Sequence, residues 1–189
     1  MKAIIFDFFG VICNEIGSQW YRTRVPAVLV PELKEKYDIP SDTGEVSDEE
    51  FFKGLGNAVQ LSGEGVHREW IDSAVIDKRL IAFIRELKVR GYKTAICSNT
   101  PSKLLRELLS IHGLATYFDV LAVSSEVGLT KPGPDIFNYT LKELRIMPQE
   151  AIFVDDRKEN IDGARAAGME AVLYRNSDEL REEIEKLLK

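Results

Sequence analysis

The feature that most constrains this chain is a regular alternation of strand and helix signals through its C-terminal two-thirds. Leu80, Ile81, Phe83, Ile84 and Leu87 form an apolar stripe at helical spacing over Asp77 to Arg90, stopped by Gly91. Short apolar runs read as strands at Lys93 to Cys97, Asp119 to Val123, Ile152 to Val154 and Ala171 to Tyr174. Between them, helices are predicted at Ser102 to His112, Pro134 to Leu144 and Asn160 to Ala167. A last amphipathic helix runs from Ser177, read as its N-cap, to Leu188. Strand and helix in strict alternation imply an α/β fold: a parallel sheet with helices on both faces. Hydrophobic residues make up 44% of the chain, enough for a sheet buried on both sides.

The first strand, Ala3 to Phe6, ends in Asp7, with Gly10 turning the chain soon after. Ala151 to Val154 likewise ends in Asp155 and Asp156. Open parallel sheets bind ligands at the carboxyl ends of their strands. Two acidic ends side by side would form an anionic pocket suited to Mg²⁺ with oxygen ligands. Ser98-Asn99-Thr100 and Thr130-Lys131-Pro132 each follow another apolar run. A carboxylate nucleophile, hydroxyl and amide donors, a lysine and a metal site together make a phosphoryl-transfer centre.

Residues 14–75 break the alternation. They are polar, with helical patches at Val25 to Tyr37 and from Ser47 to about Leu61, where Ser47 and Glu50 form a capping box. The segment is far too long for an ordinary connection, so it reads as a helical cap over the site. The expected division is a core of residues 1–13 and 76–189 with a cap at 14–75.

The net charge of −6 argues against a nucleic-acid partner. No stretch suits a membrane span or a signal peptide. Cys13 and Cys97 fit neither a metal motif nor a disulfide framework and read as small buried apolar residues. A cytoplasmic location is expected.

Four pieces in order carry a family resemblance: Asp7 with Gly10-Val11, Ser98-Asn99-Thr100, Lys131-Pro132-Gly133-Pro134, and Asp155-Asp156 with Asn160 to Ala164. Together they resemble the haloacid dehalogenase superfamily, in the branch of sugar-phosphate phosphatases and the N-terminal domain of soluble epoxide hydrolases. The resemblance implies a Rossmann-like core with a small helical cap. It also implies Mg²⁺-dependent hydrolysis of a small phosphorylated substrate through an aspartyl-phosphate. Asp7 would be the nucleophile and Lys131 the charge-neutralising catalytic residue. Ser98, Asn99 and Lys131 would bind substrate. Asp7, the Phe9 carbonyl, Asp156 and Asp155 would serve the metal; Asp156 is expected as direct ligand with Asp155 behind it, though the order could be reversed. Asn160 and Asp162 either support this shell or begin a helix.

Phe9 departs from the family pattern, where a second Asp two residues after the nucleophile protonates the leaving group. Losing a general acid/base costs typically 10²–10⁴ in rate. The alternatives are therefore a 2-haloacid dehalogenase, whose halide leaves unprotonated, and a non-catalytic relative binding a phospholigand or protein. Glu15 is the preferred substitute acid. His67 reads as a surface residue and His112 as a helix C-terminal cap. Trp20, Tyr21, Arg22 and Arg24 read as packing aromatics and solvated arginines, with the substrate side of the cap as their other placement.

Overall fold

The computed structural model describes residues 1–189. Five parallel strands form one sheet: β1 (Ala3–Phe6), β2 (Lys93–Ser98), β3 (Val120–Val123), β4 (Ala151–Asp155) and β5 (Glu170–Leu173), in the order β3-β2-β1-β4-β5. β1 is central because it is buried on both faces along its whole length. The chain leaves β1 toward β2 and β3, then crosses back to β4 on the other side. This reversal opens a crevice at the carboxyl ends of β1 and β4.

Alternate strand residues feed two cores, as a pleated sheet requires. Ile4, Phe6, Ile96, Ile152 and Val154 face one side, and Ala3, Ile5, Ala95, Cys97 and Phe153 the other. On the first side lie α6 (Lys78–Val89), α7 (Ser102–Ile111) and α11 (Ser177–Leu187), through Leu80, Ile84, Leu104, Leu108 and Ile184. On the second lie α9 (Pro134–Leu144) and α10 (Lys158–Ala166), through Phe137, Leu141 and Ile161. A short α8 (Ser124–Val127) follows β3 directly.

The segment between β1 and α6 adds helices and turns but no strand to the sheet. It comprises α1 (Ile16–Arg24), α2 (Val30–Leu33), α3 (Ile39–Asp42), α4 (Asp48–Val59) and α5 (Gly63–Asp72). Phe51, Phe52 and Trp70 pack edge to face, and Trp70 meets Trp20. These aromatics join the same apolar cluster as one face of the sheet, so the insert rests on the core.

Several local expectations are corrected. The patch at Val25 to Tyr37 is not one helix: after Pro26 comes a 3₁₀ turn (Ala27–Leu29), and a π turn (Lys34–Asp38) links α2 to α3. Pro26, Pro31 and Pro40 withhold backbone donors along this stretch, so no single ladder runs through it. The N-cap of α11 is Asn176, whose side chain accepts from the Glu179 N–H at 2.9 Å; the Ser177 hydroxyl instead donates to Asp77. α10 begins two residues earlier than predicted, which places Asn160 inside its first turn. The Ser47–Glu50 capping box forms as predicted, and His112 ends α7.

Candidate active site

Register builds the site. Phe6 pairs with Val154, and the Asp7 N–H donates to the Val154 carbonyl at 2.8 Å. Carrying that pairing forward one residue sets Asp7 beside Asp155. On the other flank Phe6 pairs with Ile96, which brings Ser98 to the same rim. Asp7, Asp155 and Asp156 each present a carboxylate oxygen within 4.8 Å of the others. Three carboxylates so close call for positive charge between them or a shared proton.

Lys131 supplies part of it. It is buried, with Nζ 2.8 Å from Asp7 Oδ2 and 2.7 Å from Asp155 Oδ2. Burial opposes its charge, but Asp7 and Asp155 outweigh that, and its pKa lies above the ordinary lysine value. Asn99 fixes the lysine loop: its amide nitrogen donates to the Lys131 carbonyl and its amide oxygen accepts from the Lys131 N–H, both at 2.9 Å. The Asn99 side chain, expected to reach phosphate, is thus engaged at both ends. Its backbone N–H has no backbone acceptor. The Ser98 hydroxyl is buried, lines the cavity and has no partner, so these two groups are the available anion donors.

The two acids ending β4 differ sharply. Asp155 is fully buried and saturated: Oδ2 takes Lys131, Oδ1 takes the Arg157 N–H at 2.9 Å, and both take Asn160 Nδ2 at 3.0 Å. Asp156 Oδ1 is buried without any partner. Burial, then Glu15 and Asp155, push Asp156 up to about 6. Gly10, at φ +83°, lies against it: a Cβ there would come within 2.4 Å of Asp156 Oδ2, so only glycine fits this turn. Asp7 accepts from the Phe8 N–H at 2.7 Å as well as from Lys131. Burial raises its pKa, Lys131 pulls it back, and Asp155 adds to the rise. The Phe9 carbonyl accepts no backbone hydrogen bond. Asp7, the Phe9 carbonyl and Asp156 form an all-oxygen donor set with an orphaned buried carboxylate oxygen, which fits a hard divalent cation.

A cavity of about 190 Å³ opens above these groups. The core contributes Asp7, Phe9, Ser98, Asn99 and Lys131 to its wall, and the insert contributes Tyr21, Asp38, Asp42 and Trp70. Phe9 is half-buried there, edge to face with Phe8 at 5.0 Å between ring centroids. Glu15 lines the cavity too, accepting from the Ser18 hydroxyl at 3.2 Å. His67 lies elsewhere, against the Phe52 ring and 3.4 Å from Glu107. Trp20 and Arg24 both bond Glu69 away from the cavity, Arg22 is exposed, and Tyr21 alone of that group lines it. Asp162 pairs with Lys158 at the surface, whereas Asn160 supports Asp155.

Sequence reasoning missed Asp38 and Asp42. Asp38 accepts from the Tyr21 hydroxyl, and burial pushes it up to about 6. Asp42 is pushed up to about 7, first by burial and then by Asp38, with Lys131 and Arg157 opposing. No local signal marked either residue, since both sit in the proline-broken stretch.

A parallel sheet carrying a carboxylate, a buried lysine and an acidic pair at its strand ends defines a class of hydrolase. A family model described as haloacid dehalogenase-like hydrolase matches residues 1–168, and the chain belongs to that family. It is 28% identical to D-ribitol-5-phosphate phosphatase of Bacteroides thetaiotaomicron, covering 100% of this chain and 98% of that protein. It is 30% identical to the phosphorylated carbohydrates phosphatase of Thermotoga maritima, covering 91% of this chain and 84% of the relative. A Bacteroides thetaiotaomicron enzyme of the same family, solved with magnesium and inorganic phosphate, superposes with a TM-score of 0.76 at 19% identity, over 93% of this chain and 94% of the other. No helix is long and apolar enough to cross a membrane. Both cysteines are free and buried, and burial pushes each thiol up to about 12.

Proposed function

We propose that this protein hydrolyses small phosphomonoesters with Mg²⁺, using Asp7 as the nucleophile. The observation that carries this reading is Asp7 itself: a buried carboxylate at a strand end, lining the cavity and flanked by Lys131 and an unpartnered Asp156. Asp7, Asp156 and the Phe9 carbonyl would hold the metal. Asp155, saturated by protein donors, acts behind them as the counter-ion that positions Lys131. When bound, Mg²⁺ would neutralise charge between the nucleophile and the phosphoryl group.

Asp7 attacks phosphorus, the bond to the leaving oxygen breaks, and the phosphoryl group is held as an aspartyl-phosphate until water releases it. The Lys131 ammonium stabilises the charge developing on the phosphoryl oxygens. The Ser98 hydroxyl and the Asn99 N–H bind those oxygens. Residues 14–75 act as the cap that selects the substrate: a small cavity lined mostly by polar groups suits a compact polyol or sugar phosphate, the kind of substrate named for the two relatives. Two free, deeply buried thiols support a reducing, cytoplasmic setting.

Phosphate release should be measured on a panel that includes ribitol 5-phosphate and 4-nitrophenyl phosphate, with Mg²⁺ and with EDTA. Release that requires Mg²⁺ is expected. Halide release from 2-haloacids in EDTA, with no phosphate release in Mg²⁺, would overturn the reading in favour of a dehalogenase.

A further inference from the structure

Phe9 cannot move a proton, yet an alkyl or sugar alkoxide needs one as it leaves. We propose that Asp42, held over the cavity by the insert, is the general acid and base of this enzyme. The inference rests on the phosphatase reading above.

Asp42 and Asp7 line the same cavity of about 190 Å³, so a phosphomonoester attacked by Asp7 sits in the space that both acids border. Asp42 is held by its neighbours. Ser41 is buried and donates to the Asp38 carbonyl at 2.8 Å, and Thr43 donates to the Pro40 carbonyl at 3.1 Å. Gly44, at φ +78°, lies directly on α8 of the core: a Cβ there would come within 2.3 Å of the Ser125 carbonyl oxygen. The turn after Asp42 is therefore seated on the sheet domain, which fixes the carboxyl relative to Asp7.

Of the cavity's four carboxylates, Asp7 is paired with Lys131, Asp38 accepts from Tyr21 and Glu15 accepts from Ser18. Asp42 accepts no hydrogen bond and makes no ion pair. It faces Asp38, Lys131 and Arg157, with Glu15 and Lys34 also on the cavity wall. Burial and Asp38 bring it up to about 7, where both its acid and its base forms are populated near neutrality. Glu15 is exposed as well as bonded to Ser18, so it lacks the burial that holds a proton near neutrality.

The steps balance. As Asp7 forms its bond to phosphorus, the phosphorus–oxygen ester bond breaks with its electron pair on oxygen, and the Asp42 proton passes to that oxygen, releasing the alcohol. The Asp42 carboxylate then takes a proton from water as that water attacks the aspartyl-phosphate. The phosphorus–Asp7 bond breaks, the pair returns to Asp7, and inorganic phosphate leaves.

The test is rapid mixing of wild type and Asp42→Asn with 4-nitrophenyl phosphate in Mg²⁺. Nitrophenolate leaves without protonation, so the variant should still phosphorylate Asp7 but fail to activate water. The expected result is a burst of about one nitrophenolate per enzyme, followed by a steady state slower than wild type by about 10²-fold or more. Mass spectrometry should find phosphate retained on the protein, and Asp7→Asn should abolish it. Adding Phe9→Asp to Asp42→Asn should restore turnover from the opposite wall. An unchanged steady state in Asp42→Asn overturns the assignment. So does loss of the burst together with turnover that Phe9→Asp fails to restore, which marks a structural role. A wild type with no phosphate release and no phosphoenzyme would instead defeat the phosphatase reading.

Discussion

Two sets of carboxylates lie about one cavity, one on the sheet and one on the insert, and they are held in opposite ways. On the sheet side, Asp7 and Asp155 share a buried lysine and accept fixed backbone and amide hydrogen bonds. On the insert side, Asp38 and Asp42 have no ion-pair partner; burial drives both pKa values up, and Asp38 adds to the rise of Asp42. The sheet side holds its acids rigidly around a buried cation, which suits nucleophilic attack and metal binding. The insert side keeps its acids poised between charged and neutral, which suits proton handling. The comparison teaches that charge and protons are managed by different layers of this molecule, one set by strand register and the other by the docking of a helical segment.

The strongest way to break this comparison is Asp7→Asn. It removes the only carboxylate on the sheet side placed to attack, and turnover of any phosphomonoester should fall by about 10⁴-fold or more. Steady-state phosphate release checks it. A fall of less than tenfold would move the nucleophile elsewhere. The matched change on the insert side, Asp38→Asn, should cost far less, because Asp38 is tied to Tyr21 and serves its shape.

Lys131→Ala tests whether the sheet-side acids truly depend on their cation. It leaves two buried carboxylates uncompensated, and breaking a buried pair in this way costs about 3–5 kcal/mol. Thermal melts should show a large drop at pH 7.5 that narrows at pH 5, as Asp7 takes up a proton. An equal drop at both pH values would show that the loss is one of packing.

Asp42 should behave in the opposite sense. Its folded pKa of about 7 lies above its unfolded value of 3.8. The native state therefore binds the extra proton, and this stabilisation is full below about pH 4 and lost as pH rises through 7. Because Asp42 is only partly covered, a gain of about 1–2 kcal/mol is expected for Asp42→Asn at pH 8, with little change at pH 4. Melting curves at the two pH values decide it. A loss of stability at pH 8 would mean that the charged carboxylate has a partner.

The two sides also differed in how far the sequence revealed them. The strand-end acids were readable because each ends an apolar run, and an apolar run followed by a carboxylate is a local pattern. Their nearness follows from parallel topology, which the strand–helix alternation implies. Asn160 was half-readable. Its local position suggested a helix start, but its bonds to Asp155 depend on how α10 docks below β4. Asn99 is readable at this rim, but its side chain's hold on Lys131 is not, because it spans a loop whose path no local signal encodes. Asp38 and Asp42 were not readable. They lie in a stretch broken by prolines, and their burial arises from the seating of Gly44 against Ser125 and the packing of Tyr21, both tertiary events.

The smallest predicted effect tests whether helix caps, the most local features, act alike on both sides. Ser47 caps α4 in the insert through a reciprocal pair with Glu50, and Asn176 caps α11 on the core through the Glu179 N–H. Each replacement by Ala leaves a first-turn N–H without its acceptor and should cost about 1 kcal/mol. The readout separates the two regions. If the insert and the core unfold together, as their shared apolar cluster implies, both variants lower one common melting transition by a few degrees. If the insert opens first, Ser47→Ala should speed hydrogen exchange in α4 and α5 while leaving exchange in β1 and β4 unchanged. Asn176→Ala should then act only through the global transition. Identical exchange profiles for the two variants would show one cooperative unit, and the contrast between sheet and insert would then be electrostatic alone.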